Sequence, residues 1–393
     1  MQPRRSSAAF TIIVTVVMTL CAAIMGVVLL LSGAPTALVV GLVLAALPLA
    51  PLISVYMWLD RYEPEPRSLL VLGLGWGAFV ATSAALFLQV FDTVAFRSDD
   101  AFSATVMAPI TEEGAKGLFI LLLLFFRRHE LDGVLDGLVY AGMVGIGFAF
   151  TENILYLASA YMGEDGQSGG VGGAVGLFIV RGVFSPFAHP FFTAFIGIGV
   201  GVAVNSRSRL VRFLAPVLGY LVAVGTHAAW NGSLMLDDGR NAMATYLFLM
   251  FPGFLLLVGF AVWSRRREGR VLTAALTDCA NRGFLDHAEV PWLARIPARR
   301  FARRYAEKAG GKSARRTMVA YQSHSVELGF LHSRYLRGVA PPDFIALGQL
   351  HVEAMRELRP GLLWPRPTGA SARLPAVTGT PVMSEAGDTE RAR

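Results

Sequence analysis

Glu112, Glu113 and Lys116 stand within five residues of one another inside an apolar run that extends from Ala101 to Phe126. Ser98-Asp99-Asp100 and Arg127-Arg128-His129 bound that run, and its length predicts a membrane-spanning helix. Each ionisable residue near the centre of such a helix costs about 2.5–3.5 kcal/mol on insertion scales. Three together require a reason. One is structural: a Glu–Lys pair that locks two helices together. The other is chemical, and four further residues favour it: Glu152, His189, His227 and Asn231, which lie in other apolar runs of the chain. A carboxylate beside an imidazole can deprotonate water, and a His/Asn pair can hydrogen-bond a developing oxyanion. Those groups suffice for a peptide hydrolase without a Ser or Cys nucleophile. Glu and His side chains are also ligands for a divalent metal such as zinc, which activates water by a different route. The sequence has no H-E-x-x-H, and both mechanisms stay open at this point.

Composition sets the stage for these residues. The 393-residue chain is 54% hydrophobic and 16% charged, with a mean hydropathy of +0.52, which excludes an ordinary soluble domain. The expected fold class is all-α: a polytopic transmembrane helix bundle followed by a basic helical cytoplasmic region. Eight spans are expected, at roughly 9–31, 35–59, 68–91, 102–126, 134–160, 174–204, 211–235 and 242–264. Alternate connections carry thirteen arginines on one side and only Arg97 and Arg240 on the other. By the positive-inside rule this places both termini in the cytoplasm of a multi-pass protein of the cell membrane. Arg4 and Arg5 precede an apolar run too long for a signal peptide, so the first helix is expected to be retained. Cys21 and Cys279 fall in different regions and suggest neither a disulfide nor a cysteine metal site.

Depth then follows from topology. Glu112 and Glu113 lie about ten residues in from the outside, Glu152 and His227 about eight and His189 about fifteen, or roughly 12–22 Å from the outer face at 1.5 Å per residue. Four helices thus bring carboxylates, imidazoles and an amide to one level. Glu112 and Lys116, four apart, share a face, and Glu113 can also reach Lys116. His227 and Asn231 share a face, so that both could meet one substrate carbonyl. Phe148 and Glu152 share another. Pro186 and Pro190 flank His189 and predict a kink in the sixth span. Small residues in the fifth and sixth spans predict close helix approach.

The expected domains are a cytoplasmic N-terminus at 1–8, a transmembrane domain at 9–264, a basic helical cytoplasmic region at 265–360 and a disordered tail at 361–393. Residues 265–360 carry 18 Lys and Arg against 9 Asp and Glu. No nucleic-acid motif accompanies that charge, so no nucleic-acid partner is expected. The block from Arg299 to Arg316 reads as a solvated face or one attracted to anionic lipid.

In order along successive helices, E-E-x-x-K (Glu112, Glu113, Lys116), F-x-x-x-E-N (Phe148, Glu152, Asn153), the histidine of the sixth span (His189) and H-x-x-x-N (His227, Asn231) resemble the PrsW family of intramembrane proteases. The elbow Arg61-Tyr62-Glu63-Pro64-Glu65-Pro66 is similar too, and the resemblance covers roughly residues 50–264. CAAX-processing and bacteriocin-processing membrane proteases are its relatives. The resemblance implies cleavage of a membrane-anchored protein on its extracytoplasmic side, with an anti-sigma factor as the class of substrate. It makes one of Glu112 and Glu113 the water-activating base, His227 and Asn231 the oxyanion holders, and Glu152 and His189 further catalytic groups. Lys116 becomes a structural ion-pair partner. If the enzyme uses a metal, the implied ligands are Glu113, Glu152, His189 and His227. In the CAAX-processing relatives a His stands where this chain has Glu152. The readings set against a protease are a proton- or ion-coupled transporter, whose relays use the same residue types, and a non-catalytic membrane adaptor.

Overall fold

The structure, a computed structural model, describes residues 4–31, 34–163, 169–235 and 240–365. Of the expected disordered tail at 361–393, residues 366–393 lie outside them, as do the side chains of residues 1–7; residues 361–365 are instead ordered onto the preceding unit, with Trp364 edge-on to Tyr321 at 5.9 Å. The described residues are 86% helical and include no strand. Eight long helices run in the order expected: α1 (Arg4–Leu31), α2 (Pro35–Leu59), α3 (Arg67–Ala95), α4 (100–126), α5 (Val134–Met162), α6 (Gly170–Val204), α7 (Arg209–Met235) and α8 (Ala242–Asn281). Seven of them are long and apolar enough to cross a membrane. The remaining one, α4, is the helix that carries Glu112, Glu113 and Lys116.

The bundle is organised around α5. In its most apolar stretch 89% of residues are buried, against 11% for α1, α2 and α7, so α5 is the axis and those three lie outermost. Its side chains are small where neighbours cross. A Cβ on Gly147 would stand 1.9 Å from the Leu74 carbonyl oxygen of α3, and one on Gly77 of α3 would stand 1.9 Å from that of Val144. Helices embedded in lipid gain cohesion from such contact, since lipid and core are equally apolar. At the start of α5 the Asp136 carboxylate accepts the backbone N–H groups of Asp132 (2.9 Å) and Gly133 (2.7 Å), which satisfies donors the helix cannot. The start of α4 is held in the same way, by Asp99 accepting from Phe102 N at 2.7 Å.

The kink expected in α6 is a full break. Its first half ends in a π-helical turn (Ile179–Phe184), Ser185 leaves the helix at φ −124°, ψ 34°, and the second half restarts at Ala188. Pro186 and Pro190 lack the N–H groups that a continuous helix would need there. Similar π turns occur in α3 (Trp76–Ala81), α4 (Ser103–Met107) and α8 (Tyr246–Met250). No sequence rule used above predicts them.

Helix α8 does not stop at the expected boundary near residue 264. It continues to Asn281 and contributes Leu272, Leu276 and Cys279 to a second core. That core is completed by α9 (Val290–Ala294), α10 (Ile296–Leu336, kinked at Gly310-Gly311) and α11 (Phe344–Leu358), through residues such as Leu293, Tyr321 and Met355. This unit is seated on the connections between spans. Arg299 donates to the Tyr62 carbonyl (2.9 Å), Arg334 pairs with Asp132 (3.5 Å) and Arg337 donates to Asn205 Oδ1 (2.6 Å). Arg299 is therefore buried rather than part of a solvated basic face.

Candidate active site

Lys116 sits at the centre of the polar cluster. Its ammonium donates to Glu113 Oε1 (2.8 Å) and Glu112 Oε2 (3.3 Å), both on its own helix. Across to α6 it lies 3.0 Å from His189 Nδ1. The Phe148 ring of α5 stands beneath it at 3.7 Å, a cation–π seat inside a low-dielectric interior. Lys116 and Glu113 are fully enclosed. Those acceptors stand where water would solvate an exposed ammonium.

The hydrogen bonds fix the tautomers of the two histidines. His189 Nε2 is 2.7 Å from Glu152 Oε2. A carboxylate only accepts, so Nε2 carries the proton and the Nδ1 lone pair faces Lys116. His227 Nδ1 is 3.0 Å from Glu113 Oε1 and therefore carries its proton, which leaves the Nε2 lone pair towards Glu112 Oε2 at 3.8 Å. Each imidazole is thus backed by a carboxylate; the His227 lone pair turns towards Glu112, and that of His189 accepts from Lys116. His227 is further held by the Phe192 ring, stacked at 4.6 Å.

One atom each of Glu112, His189 and His227 lie within 4.8 Å of one another. One carboxylate and two imidazoles suit a zinc-like ion, and a carboxylate behind each imidazole is the usual support of a metal-bound histidine. The donor set fits the group. It differs from the set expected from sequence: Glu112 enters, while Glu113 and Glu152 stand behind the imidazoles. Thr193 Oγ1 also donates to Glu113 Oε2 at 2.9 Å, and Arg181 pairs with Glu152. The charges agree with that reading. Three carboxylates face two cations, Lys116 and Arg181, and a proton or a bound cation would balance the excess.

The cluster borders a cavity of about 890 Å³ enclosed by α3 to α7. Glu112, Glu152, Asn153, Arg181, His189 and Asn231 line it, whereas Glu113, Lys116 and His227 lie behind its wall. Val90, Val94 and Tyr156 are on the wall and also exposed at the protein surface, so the cavity opens to that surface. Asn231 donates one amide hydrogen to the Ala104 carbonyl (3.0 Å), which leaves a second free to donate. Of His227 and Asn231, only Asn231 is on the wall.

All the candidate residues, Glu112, Glu113, Glu152, His189, His227 and Asn231, fall within this one region with Lys116. Sequence reasoning passed over two others and misjudged a third. Thr193 lies four residues after His189, and that helical spacing could have found it. Gln89, whose amide donates to Glu112 Oε1 at 3.4 Å, is a lone amide in an apolar run. Phe148 was read only as sharing a face with Glu152, and its contact is with Lys116.

Comparison with known proteins fits this geometry. The sequence model of the family described as "PrsW family intramembrane metalloprotease" matches residues 65–257. Three similar proteins carry the name "Protease PrsW". One from Clostridioides difficile strain 630 is 27% identical over 197 residues, which is 49% of this chain and 79% of that protein. One from Oceanobacillus iheyensis is 25% identical over 221 residues, covering 56% and 92%. One from Bacillus subtilis strain 168 is 24% identical over 221 residues, covering 56% and 91%. No solved structure matches the chain.

Proposed function

The chain belongs to the PrsW family of intramembrane proteases, and from that premise we propose that it hydrolyses a peptide bond of a membrane-anchored protein near the extracytoplasmic side of the bilayer. Membership favours the enzyme over the transporter and adaptor readings. The observation that carries the proposal is a single one: a fully enclosed Lys116–Glu113 pair places the Glu112 carboxylate, with the His227 imidazole turned towards it, on the wall of a cavity open at the protein surface.

Glu112 is the general base. It is the member of the acidic pair on the cavity wall, whereas Glu113 spends its oxygens on Lys116, Thr193 and His227. A water beside Glu112 attacks the scissile carbonyl as Glu112 takes its proton. The carbonyl oxygen becomes an oxyanion that accepts the free amide hydrogen of Asn231. Glu112 then returns the proton to the leaving nitrogen, the C–N bond breaks, and the two products are a carboxylic acid and an amine. His227 turns its Nε2 lone pair towards Glu112, His189 accepts from the Lys116 ammonium, and Lys116 steadies the negative charge of the pair. Where a divalent ion such as zinc is bound, Glu112, His189 and His227 would hold it, and it would polarise the carbonyl and lower the pKa of water.

The substrate class that suits the cavity is a single-span protein unwound near its outer end, with an anti-sigma-factor-like protein as the first to test. The arginine asymmetry puts both termini in the cytoplasm, which leaves residues 9–264 as the protease domain and residues 265–360 as a cytoplasmic unit for interaction or regulation. The test is to incubate the purified protein with a single-span substrate and map the new termini by mass spectrometry. A cut in the outer third of the span supports the proposal; a cut on the cytoplasmic side overturns it. A chelator arm, with metal content measured, separates the mechanisms: cleavage that survives complete metal loss means that protein groups alone activate the water.

A further inference from the structure

Arg181 belongs to no role assigned above, yet it is built into the cluster with unusual completeness. Its Nη2 donates to Glu152 Oε2, its Nε donates to Asn153 Oδ1 at 2.7 Å, and its guanidinium lies 4.1 Å above the Tyr156 ring. All three partners are on α5. The oxygen that accepts from Arg181 is also the one 2.7 Å from His189 Nε2. Arg181 and His189 lie on opposite sides of the break in α6, the first in the π turn Ile179–Phe184 and the second after Ala188. The backbone link across the break is thin: Ser185 N donates to the Val180 carbonyl (3.0 Å), and the Ser185 carbonyl accepts from Ala188 N (3.1 Å). One Glu152 carboxylate oxygen joins the side chains of the two halves.

We propose that Arg181 is a positioning residue for His189, acting through Glu152. The guanidinium fork reads two adjacent acceptors, Glu152 and Asn153, and so holds the Glu152 carboxylate in one rotamer. That rotamer presents Oε2 to His189, which keeps the proton on Nε2 and the lone pair on Nδ1. A lysine has the charge but not the planar fork, so it does not hold the two acceptors in one fixed geometry. The bland reading is a salt bridge that only staples α5 to α6. The two differ in what they do to turnover.

The inference rests on the proposed site, and its test keeps the two apart. Full-length protein carrying Arg181→Gln, Arg181→Lys, Glu152→Gln or the Arg181→Gln/Glu152→Gln pair is assayed on a single-span substrate, with kcat and KM separated. Arg181→Gln is expected to lower kcat by about 10–100-fold with KM near the wild-type value. Arg181→Lys should fall between the two. The double variant should be no slower than Glu152→Gln, because a residue acting through another is silent once that other is gone. Multiplying effects in the double variant, or a raised KM at unchanged kcat, overturns the inference. If Arg181→Gln does not fold, Arg181→Lys completes the same cycle. Wild-type cleavage by both Glu152→Gln and His189→Ala would instead sink the site; slow cleavage by both, beside wild-type cleavage by Arg181→Gln, would sink this inference alone.

Discussion

Lys116 illustrates what a single residue does here. It neutralises two carboxylates that lipid could not solvate, and it does so from their own helix turn. Lys116→Met leaves both carboxylates in place without that partner, and a broken buried pair costs about 3–5 kcal/mol. The expected outcome is a clearly lower thermal unfolding midpoint in detergent, together with lost cleavage. An unchanged midpoint would mean that the pair is not buried as described. The site residues were legible in the sequence because charge inside an apolar run has few explanations. Their pairings were not. Spacing can say that Glu112 and Glu113 both reach Lys116, but Thr193, two helices further along the chain, decides which of them is tied down. The choice between the two carboxylates is a matter of burial, and no local pattern records it.

Among the elements, α5 and the elbow before α3 position everything else. Gly147→Ala would push a methyl into the Leu74 carbonyl, and overpacking of this kind costs about 1–3 kcal/mol. Gly225→Ala, with nothing within 4 Å of its new methyl, should leave stability unchanged, and thermal melts of the two variants make the comparison. The elbow supplies a pH dependence. Burial pushes the Asp60 carboxyl up to about 7, although the Glu65 backbone N–H donates to it. Burial also raises Glu63 and Glu65, and their acidic neighbours add to the shift. The folded protein therefore holds these protons more tightly than the unfolded chain does. Their stability is fully present below the ordinary carboxylate range and is lost as pH rises through about 7. Melting midpoints should fall over that window, and Asp60→Asn, which cannot ionise, should flatten the fall; an identical slope in the variant would contradict this. The spans themselves were readable from apolar length. The π turns and the continuation of α8 to Asn281 were not, since both depend on what packs against the helix rather than on its own residues.

At the scale of the molecule, two cores share one chain, and α8 runs through both. Arg299, Arg334 and Arg337 hold the second core against the elbow and the connections after α4 and α6. Composition alone suggested a basic surface there, because it cannot separate an arginine that faces water from one that caps a carbonyl. If those connections are cytoplasmic, a reporter fused after residue 165 should report the outside and one fused after residue 207 the cytoplasm. The opposite pattern would invert the substrate side proposed above. The central claim concerns one carboxylate on the wall of one cavity. Its most direct test is the turnover of purified Glu112→Gln on a single-span substrate, beside a melting curve that shows the variant folded. General-base loss predicts a fall in kcat of about 10²–10⁴-fold; wild-type turnover by folded Glu112→Gln would contradict the account.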